Sequence, residues 1–229
     1  MEETLKSSWL INGMTAVWLV LSVSGICAFW NYTFVSAELS HTQNMLPSET
    51  DLSPDFEHSL LLVFVHPKCA CTIATLEELK TLWSRLSQRR VAPMPALTFV
   101  VRTPEELSGW DETPIVRMCR EFAGGHVYFD ANGVETRRFG ITTSGTLALY
   151  GSHENLLYIG GITQSRGHRG PSAGSEQLFR ALETGRACTS NVPVFGCLMF
   201  SGSDERNSAG LVERRSQGFE TKSFSTEVH

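Results

Sequence analysis

The chain has 229 residues, of which 41% are hydrophobic and 19% charged. This composition suits a globular protein with one domain and shorter appendages. The net charge is −5, and because nucleic-acid phosphates are bound by basic surfaces, it argues against nucleic acid as the main partner. The six cysteines are too few to indicate a disulfide-stapled mini-protein.

The first predicted element is an apolar segment from Trp9 to Phe34, which follows a short tail at 1–8. Roughly 20 apolar residues are enough to cross a bilayer as a helix, so we expect a transmembrane anchor. The Val-Ser-Ala sequence at 35–37 fits a cleavage site, which leaves a cleaved signal peptide as the alternative. Lys6 favours an N-terminus inside the cell. We therefore expect a single-pass protein of the cell membrane, with its domain on the exported (periplasmic) side.

The next segments indicate a linker, a strand and a helix. Residues 35–55 are polar and lack periodicity, so we expect a linker. The continuous apolar run from Ser59 to Val65 predicts a strand buried on both faces. Residues 72–86 place their apolar side chains on one stripe, which predicts an amphipathic helix with Thr72 as its N-cap.

The rest of the chain alternates between strands and helices before a polar C-terminus. The predicted elements are a strand at 96–101, a helix opened by Thr113-Pro114, a strand at 126–129, a turn at 130–133, a hairpin of 146–150 with 155–159, and a helix at 175–182. This order predicts an α/β sandwich with a central mixed sheet over 56–200. Residues 201–229 are rich in Ser, Glu, Arg and Gly and predict a disordered tail.

Cys69 and Cys71 lie between the buried strand and the start of the first domain helix. The partial positive charge of a helix N-terminus stabilises a thiolate, and Lys68 and His66 can add positive potential, so we expect a lowered thiol pKa. Two thiols one residue apart close a strained disulfide that is easily reduced. Two further interpretations are a pair of buried packing cysteines and, together with a histidine, a site for a soft metal such as Cu(I).

Four other cysteines are distributed along the chain. Cys27 lies in the apolar N-terminal segment and Cys119 on a predicted buried helix face, so we expect both to act as packing residues. Cys188 and Cys197 follow the last predicted helix. Either these two pair and pin the C-terminal segment, or Cys197 is a third redox thiol.

Several motifs resemble those of the thioredoxin-like superfamily. The strand, cysteine motif and helix at 59–86 match in order, as does Asp-Ala-Asn-Gly at 130–133 followed by Phe-Gly-Ile at 139–141. Three motifs further resemble the membrane-anchored RedB-like group of this fold. They are His-Pro-x-Cys-x-Cys-Thr at 66–72, Gly-Gly-Ile-Thr at 160–163 running into Ser-Arg-Gly-His at 165–168, and Pro-Val-Phe-Gly-Cys at 193–197. The resemblance covers about 56–200 and implies a thioredoxin-like sandwich that exchanges disulfides with protein partners.

The sequence departs from the superfamily pattern at two points. The usual Cys-x-x-Cys is Cys-x-Cys here, and the cis-proline position falls on Gly145, next to Thr146. In the superfamily that proline faces the cysteines, helps to bind the partner chain and blocks metal, so its replacement favours metal binding or a different substrate. The resemblance also implies that the loop with Arg166 and His168 lies near Cys69, although both can equally be solvated loop residues. His168 would then be a proton carrier or a metal ligand.

Three hypotheses of function result. The first is a thiol-disulfide oxidoreductase without a resident cofactor, in which either Cys69 or Cys71 attacks a partner disulfide and the other resolves the mixed disulfide. Its partners would be protein thiols or disulfides. The second is a copper-binding or copper-delivery protein of the same fold, with Cys69, Cys71 and His168 as ligands, or with His66 completing the set. The third is a binding module without turnover.

Overall fold

A computed structural model describes residues 2–36, 44–52, 59–105, 109–188 and 192–200. The predicted tail at 201–229 lies outside the described residues. In chain order the helices and strands of the described part are α1 (Glu2–Phe34), β1 (Leu60–Val65), α2 (Cys71–Gln88), β2 (Ala96–Thr103), α3 (Pro114–Arg120), β3 (Gly125–Ala131), α4 (Val134–Arg138), β4 (Thr146–Tyr150), β5 (Leu156–Gly160) and α5 (Ala173–Thr184).

The five strands form one mixed sheet in the order β3-β2-β1-β4-β5. β1, β2 and β3 are parallel, and α2 and α3 make the crossovers between them, as parallel pairing requires. β4 runs antiparallel to β1, and β5 antiparallel to β4. The sheet and its helices confirm the expected α/β sandwich with a central mixed sheet.

β1 lies at the centre of the sheet and is buried on both faces, as its apolar run predicts. Its side chains alternate, as in any strand. Leu61, Val63 and Val65 belong to a core cluster with α2, α3 and α5. Leu60, Leu62 and Phe64 belong to a second cluster on the opposite face. The end of β1 is therefore held from both sides, and the cysteine motif follows directly from this rigid point.

The predicted apolar stripe of α2 is confirmed, but its predicted start is not. The four leucines that bury on the sheet are Leu76, Leu79, Leu82 and Leu86. The N-cap is Ala70, which makes no side-chain capping hydrogen bond. Thr72 lies one position inside the helix, is buried, and its hydroxyl is 2.8 Å from that of Ser144. The Thr72 hydroxyl, which the sequence predicted as a helix cap, therefore bonds to Ser144 in a distant segment instead.

The predicted N-cap of α3 is confirmed, because the Thr113 hydroxyl accepts a hydrogen bond from the Val116 N–H at 3.3 Å. The predicted turn at 130–133 differs from the structure, since β3 continues to Ala131 and α4 begins shortly after it. The Asp130 carboxylate accepts hydrogen bonds from the N–H groups of Glu135 and Thr136 at 2.9 and 2.8 Å. A buried side chain thus stabilises a one-turn helix whose own sequence carries no periodic pattern.

Residues 44–52, predicted as part of the linker, pack on the sheet instead. Leu46 and Leu52 are buried in the second core cluster, and the Leu46 N–H donates to the Glu154 carbonyl at 2.9 Å. The Thr50 hydroxyl donates to the buried carboxylate of Glu135. Two isolated leucines in a polar segment form no periodic pattern, which is why the sequence did not predict their burial. Residues 37–43 and 53–55 of the predicted linker are outside the described residues.

The N-terminal helix α1 contains a stretch, Ile11–Phe34, that is long and apolar enough to cross a membrane. Its 24 residues extend about 36 Å at the helical rise, more than the roughly 30 Å hydrocarbon core of a bilayer. Its large apolar side chains, including Trp9, Trp18 and Trp30, are exposed, as is Cys27. The expectation that Cys27 acts as a packing residue within this apolar segment stays a prediction.

Candidate functional site

The two cysteines of the motif are placed by a turn between β1 and α2. The Cys69 N–H donates to the His66 carbonyl at 3.0 Å, and the Thr72 N–H donates to the Cys69 carbonyl at 3.0 Å. Cys69 is fully buried, whereas Cys71, the first residue of α2, is half-buried. Cys69 precedes the N-cap Ala70 and so lies outside the helix, and its thiol forms a hydrogen bond with the thiol of Cys71.

The loop before β4 lies beside this turn and is formed around Gly145. The Gly145 N–H donates to the Phe64 carbonyl at 2.8 Å, and its φ is +87°. A proline ring fixes φ near −65°, so the superfamily's proline does not fit this backbone. The Thr146 hydroxyl donates to the Thr143 carbonyl at 2.7 Å and is buried within the same turn. A different turn therefore replaces the proline loop.

A C-terminal segment, Phe195–Met199, lies antiparallel to this loop. The Ser144 N–H donates to the Cys197 carbonyl at 2.9 Å, and the Met199 N–H donates to the Thr142 carbonyl at 2.8 Å. Gly196 permits this approach, because a Cβ added there would lie 1.9 Å from the Ser144 carbonyl oxygen. The two backbones are therefore in direct contact at Gly196, and the residue that follows it is directed at the cysteine motif.

This segment brings a third sulfur to the motif. Cys197 Sγ lies 2.6 Å from Cys69 Sγ, and the Cys197 N–H donates to Cys69 Sγ at 3.3 Å. The sulfur atoms of Cys69, Cys71 and Cys197 all lie within 4.8 Å of one another. Cys197 is half-buried and so reaches both the buried Cys69 and the surface. We call these three residues the sulfur cluster.

One of the two predicted arrangements pairs Cys188 with Cys197. The structure does not bring these two residues together. Cys188 Sγ donates to the Gln177 carbonyl at 3.3 Å, and the Cys188 N–H donates to the Leu157 carbonyl at 2.8 Å. Cys188 packs at the edge of the first core cluster. Cys119 is buried in that cluster as predicted, and burial raises the pKa of its thiol to about 12.

Burial and hydrogen bonding act in opposite directions on the Cys69 thiol. Burial raises its pKa, but hydrogen bonds from the Cys197 thiol, the Thr72 hydroxyl and the N–H groups of both residues outweigh burial and lower it. The pKa of Cys197 is raised by burial and by its hydrogen bond to Cys69. The pKa of Cys71 is raised by burial and by the negative charge of Cys69. The pKa is therefore lowered only for Cys69 among the three thiols of the cluster.

Arg166 supplies the positive charge next to the sulfur cluster. Its guanidinium donates to the Gly196 carbonyl and to the sulfur of Cys71, and its charge opposes the raised pKa values of both Cys71 and Cys197. The same guanidinium lies 5.2 Å from the ring of Tyr32 in α1, and the Arg166 N–H donates to the Thr33 carbonyl at 3.3 Å. Arg166 therefore connects the end of α1 to the cluster.

Two of the other predicted site residues, His66 and Lys68, contact the ring of Trp110. The His66 ring contacts the Trp110 ring edge-on at 5.6 Å between centroids, and the Lys68 ammonium lies 4.0 Å from the same ring. The His66 Nδ1 accepts the Lys68 N–H at 3.2 Å. His168 is exposed, and among the described residues it is not part of the group whose ligand atoms lie within 4.8 Å. A modulating role for these three residues stays a prediction.

Sequence reasoning missed Ser144 and Trp110. The Ser144 hydroxyl accepts the His66 N–H at 2.8 Å and meets the Thr72 hydroxyl, so it ties the loop to the cysteine turn. Trp110 provides the aromatic face for His66 and Lys68. Neither residue belongs to a chemical motif, because both act through tertiary contacts between distant segments.

Comparison with known proteins gives likenesses of fold only. No protein-family model matches the chain, and no curated protein matches it. A hypothetical protein of Sinorhizobium meliloti has 18% identity and a TM-score of 0.47 over 64% of this chain and 81% of that one. An uncharacterized conserved protein of Geobacillus kaustophilus has 14% identity and a TM-score of 0.48 over 74% and 94%. MTB DsbF, solved in mixed oxidized and reduced forms, has 15% identity and a TM-score of 0.36 over 56% and 80%. At these TM-scores the likenesses carry no argument about function.

Proposed function

We propose that this protein is a thiol-disulfide oxidoreductase that exchanges a disulfide with thiols of partner proteins. One observation carries the proposal, namely the 2.6 Å separation of Cys69 Sγ and Cys197 Sγ at the start of α2. Two sulfurs this close need only small movements to reach the bonded distance of about 2.05 Å. The thioredoxin-like sheet supports the proposal by holding Cys69 at the end of its central strand.

Cys197 is a better redox partner for Cys69 than Cys71 is. The sulfurs of Cys69 and Cys71 also lie within 4.8 Å, but a disulfide between residues two positions apart closes a small, strained ring. Cys197 approaches from a separate segment and already touches Cys69. We therefore assign the disulfide to Cys69 and Cys197 and treat the Cys69–Cys71 pair as the competing assignment.

The exposures of the two sulfurs indicate which one a partner attacks. Cys69 is fully buried and Cys197 is half-buried, so a partner thiolate reaches Cys197. Attack forms a mixed disulfide between the partner and Cys197, and Cys69 leaves as a thiolate stabilised by its hydrogen-bond donors. A second thiolate of the partner then attacks the partner's sulfur atom in the mixed disulfide and forms the partner's own disulfide. The Cys197 thiolate leaves and takes up a proton. Both electrons remain in the reduced pair, and the reverse sequence reduces a partner disulfide.

The test is a redox titration of the metal-free, full-length protein in detergent across a series of glutathione potentials. Thiols are trapped by alkylation, and peptides are identified by mass spectrometry. We expect Cys69 and Cys197 to lose their thiols together and to be recovered as one cross-linked peptide. Cys71 should remain alkylatable throughout the titration.

Two single substitutions serve as matched variants in this titration. Cys197→Ser should abolish the transition, whereas Cys188→Ser should leave its midpoint unchanged, because Cys188 bonds to the Gln177 carbonyl outside the cluster. Recovery of a Cys69–Cys71 cross-link would overturn the assignment of the pair. The absence of any reversible disulfide would overturn the oxidoreductase function itself.

We further propose that α1 anchors the domain on the exported side of the cell membrane and that the chain is a member of the RedB-like group. The length and apolar character of Ile11–Phe34 support the anchor, and Lys6 supports the orientation. The motifs at 66–72, 160–168 and 193–197 support the grouping. A cysteine-reactive, membrane-impermeant reagent applied to intact cells should label Cys197 after reduction. Labelling only in lysed cells would place the domain on the cytoplasmic side.

A further inference from the structure

The sulfur cluster has the composition of a metal site. Three thiols from two separate segments place their sulfurs within 4.8 Å of one another. A redox dithiol needs only two sulfurs, and the proposed disulfide leaves Cys71 without a role. The presence of a third sulfur next to the pair is therefore the feature that the oxidoreductase function does not explain.

The surroundings of the cluster suit a bound cation with several thiolates. The N–H of Cys197 donates to the Cys69 sulfur at 3.3 Å, and Thr72 donates to the same sulfur. Three thiolates with one monovalent ion carry a net charge of −2. The Arg166 guanidinium, which bonds to the sulfur of Cys71, offsets part of that charge. Cys71 and Cys197 are half-buried, so an ion can enter without unfolding of the domain.

The ligand set selects the kind of metal. Thiolate sulfur is a soft ligand that suits Cu(I) and zinc. Structural zinc sites use four ligands, and in the described part of the chain the cluster contains three ligand-bearing residues and no histidine or carboxylate. Three soft ligands and no fourth favour the monovalent Cu(I) ion over zinc.

The sulfur positions are compatible with one shared ion after a small adjustment. With metal–sulfur bonds of about 2.3 Å, as for zinc thiolates, three sulfurs around a central ion lie about 4 Å apart. No separation exceeds 4.8 Å, and the Cys69–Cys197 separation of 2.6 Å must widen for the three sulfurs to share an ion. Because Cys71 and Cys197 are half-buried, their side chains have space for this movement.

We propose that the reduced protein binds one Cu(I) ion through the Sγ atoms of Cys69, Cys71 and Cys197, and that formation of the Cys69–Cys197 disulfide releases it. The binding half is independent of the proposed function, and the release half rests on it. On binding, the three thiols lose their protons to solvent. On release, the Cys69 and Cys197 thiolates form one S–S bond, and their two electrons with two protons from solvent reduce a low-molecular-weight disulfide to two thiols. The Cys71 thiolate takes up a third proton, and copper remains Cu(I).

This ligand set differs from the one predicted from the sequence, Cys69 and Cys71 with His168. His168 is exposed and outside the cluster among the described residues, and Cys197 takes its place. The replacement makes the proposal specific, because Cys197 belongs to both the metal site and the disulfide, whereas Cys71 belongs to the metal site alone. Substitution of Cys71 therefore separates the two functions.

The experiment measures Cu(I) affinity of the reduced full-length protein in detergent under anaerobic conditions, by competition with the chromophoric chelator bicinchoninate. We expect one Cu(I) per chain in the unsubstituted protein and in Cys188→Ser. Loss of an outer-shell contact costs about 10- to 100-fold in metal affinity, so loss of a direct ligand in Cys71→Ser should cost about 100-fold or more. His168→Gln should bind as the unsubstituted protein does.

The same variants are then taken through the glutathione titration. Cys71→Ser should retain the Cys69–Cys197 transition, which shows that it folds, and oxidised unsubstituted protein should release its copper to the chelator. Equal Cu(I) affinity in Cys71→Ser, weakened binding in His168→Gln, or stronger retention of zinc than of Cu(I) in a parallel competition would each overturn the metal assignment. A missing disulfide transition with intact copper binding would instead refute the oxidoreductase function and the release step.

Discussion

At the scale of single residues, the Thr72 hydroxyl joins two parts of the site. It lies 2.8 Å from the Ser144 hydroxyl and also donates a hydrogen bond to the Cys69 sulfur. Hydrogen bonds to a thiolate favour the charged form and so lower the thiol pKa. The sequence suggested a cap at this position, but the structure assigns the hydroxyl to the chemistry of Cys69.

Replacing Thr72 should therefore change the titration of Cys69. We expect Thr72→Val to raise the pKa of the Cys69 thiol, because the thiolate loses one donor while burial continues to disfavour the charge. At a fixed neutral pH the thiolate fraction should fall. The ultraviolet absorbance of the thiolate, measured against pH in metal-free reduced protein, reports this change. Thr81→Val, on the exposed part of the same helix, should leave the curve unchanged.

Gly196 offers a second residue-scale prediction. A Cβ at this position would lie 1.9 Å from the Ser144 carbonyl oxygen, so Gly196→Ala must push the C-terminal segment away from the loop. We expect a loss of about 1–3 kcal/mol in stability and a weaker tendency of Cys69 and Cys197 to cross-link. Thermal unfolding and the glutathione titration measure the two effects. Gly25→Ala, where an added Cβ meets nothing within 4 Å, is the matched control.

These residues show how far the sequence could predict the site. Cys69 could be identified from its position between a buried strand and a helix, because that arrangement is local. The contact of Cys197 with Cys69 could not, since it depends on how a distant segment pairs with the loop at 142–144. Two alternatives for Cys197 were open from the sequence, and the structure places its sulfur next to Cys69, whereas the Cys188 thiol bonds to the Gln177 carbonyl.

At the scale of elements, local signals predicted the helices and strands that carry strong patterns. The Thr113-Pro114 start of α3 and the leucine stripe of α2 follow from capping and periodicity. α4 was missed because its five residues are too few to show a period, and its stability comes from the buried Asp130. Residues 44–52 were missed for the same reason, since only two leucines anchor them.

The cap of α3 is a direct test of such a local signal. Thr113→Ala removes the acceptor for the Val116 N–H, so we expect a loss of about 1 kcal/mol in the free energy of unfolding. Denaturant unfolding monitored by fluorescence measures it. Thr184→Ala, whose hydroxyl bonds to its own exposed helix at the Arg180 carbonyl, should cost less. An equal loss in both variants would show that the cap contributes nothing specific.

At the scale of the whole molecule, α1 contains the apolar stretch that we propose as the membrane anchor. A charged residue in the middle of a membrane-spanning helix costs about 3 kcal/mol in insertion. We therefore expect Leu21→Arg, near the centre of Ile11–Phe34, to reduce the share of protein that remains in membranes after alkaline extraction. Leu21→Phe should remain membrane-bound. Equal extraction of both variants would contradict an anchoring role for α1.

The contact between Arg166 and the end of α1 has a consequence for how partners are encountered. The Arg166 N–H bonds to Thr33, one residue before α1 ends, while its guanidinium bonds to Cys71. Once α1 lies in a bilayer, the sulfur atoms are held within one arginine side chain of the lipid surface. Under the proposed function, collisions with thiols on neighbouring membrane proteins would depend on lateral diffusion, and so on the number of partners per unit area rather than on their concentration in solution. Tethering of this kind raises the effective concentration of reactants that share the surface without any additional contact.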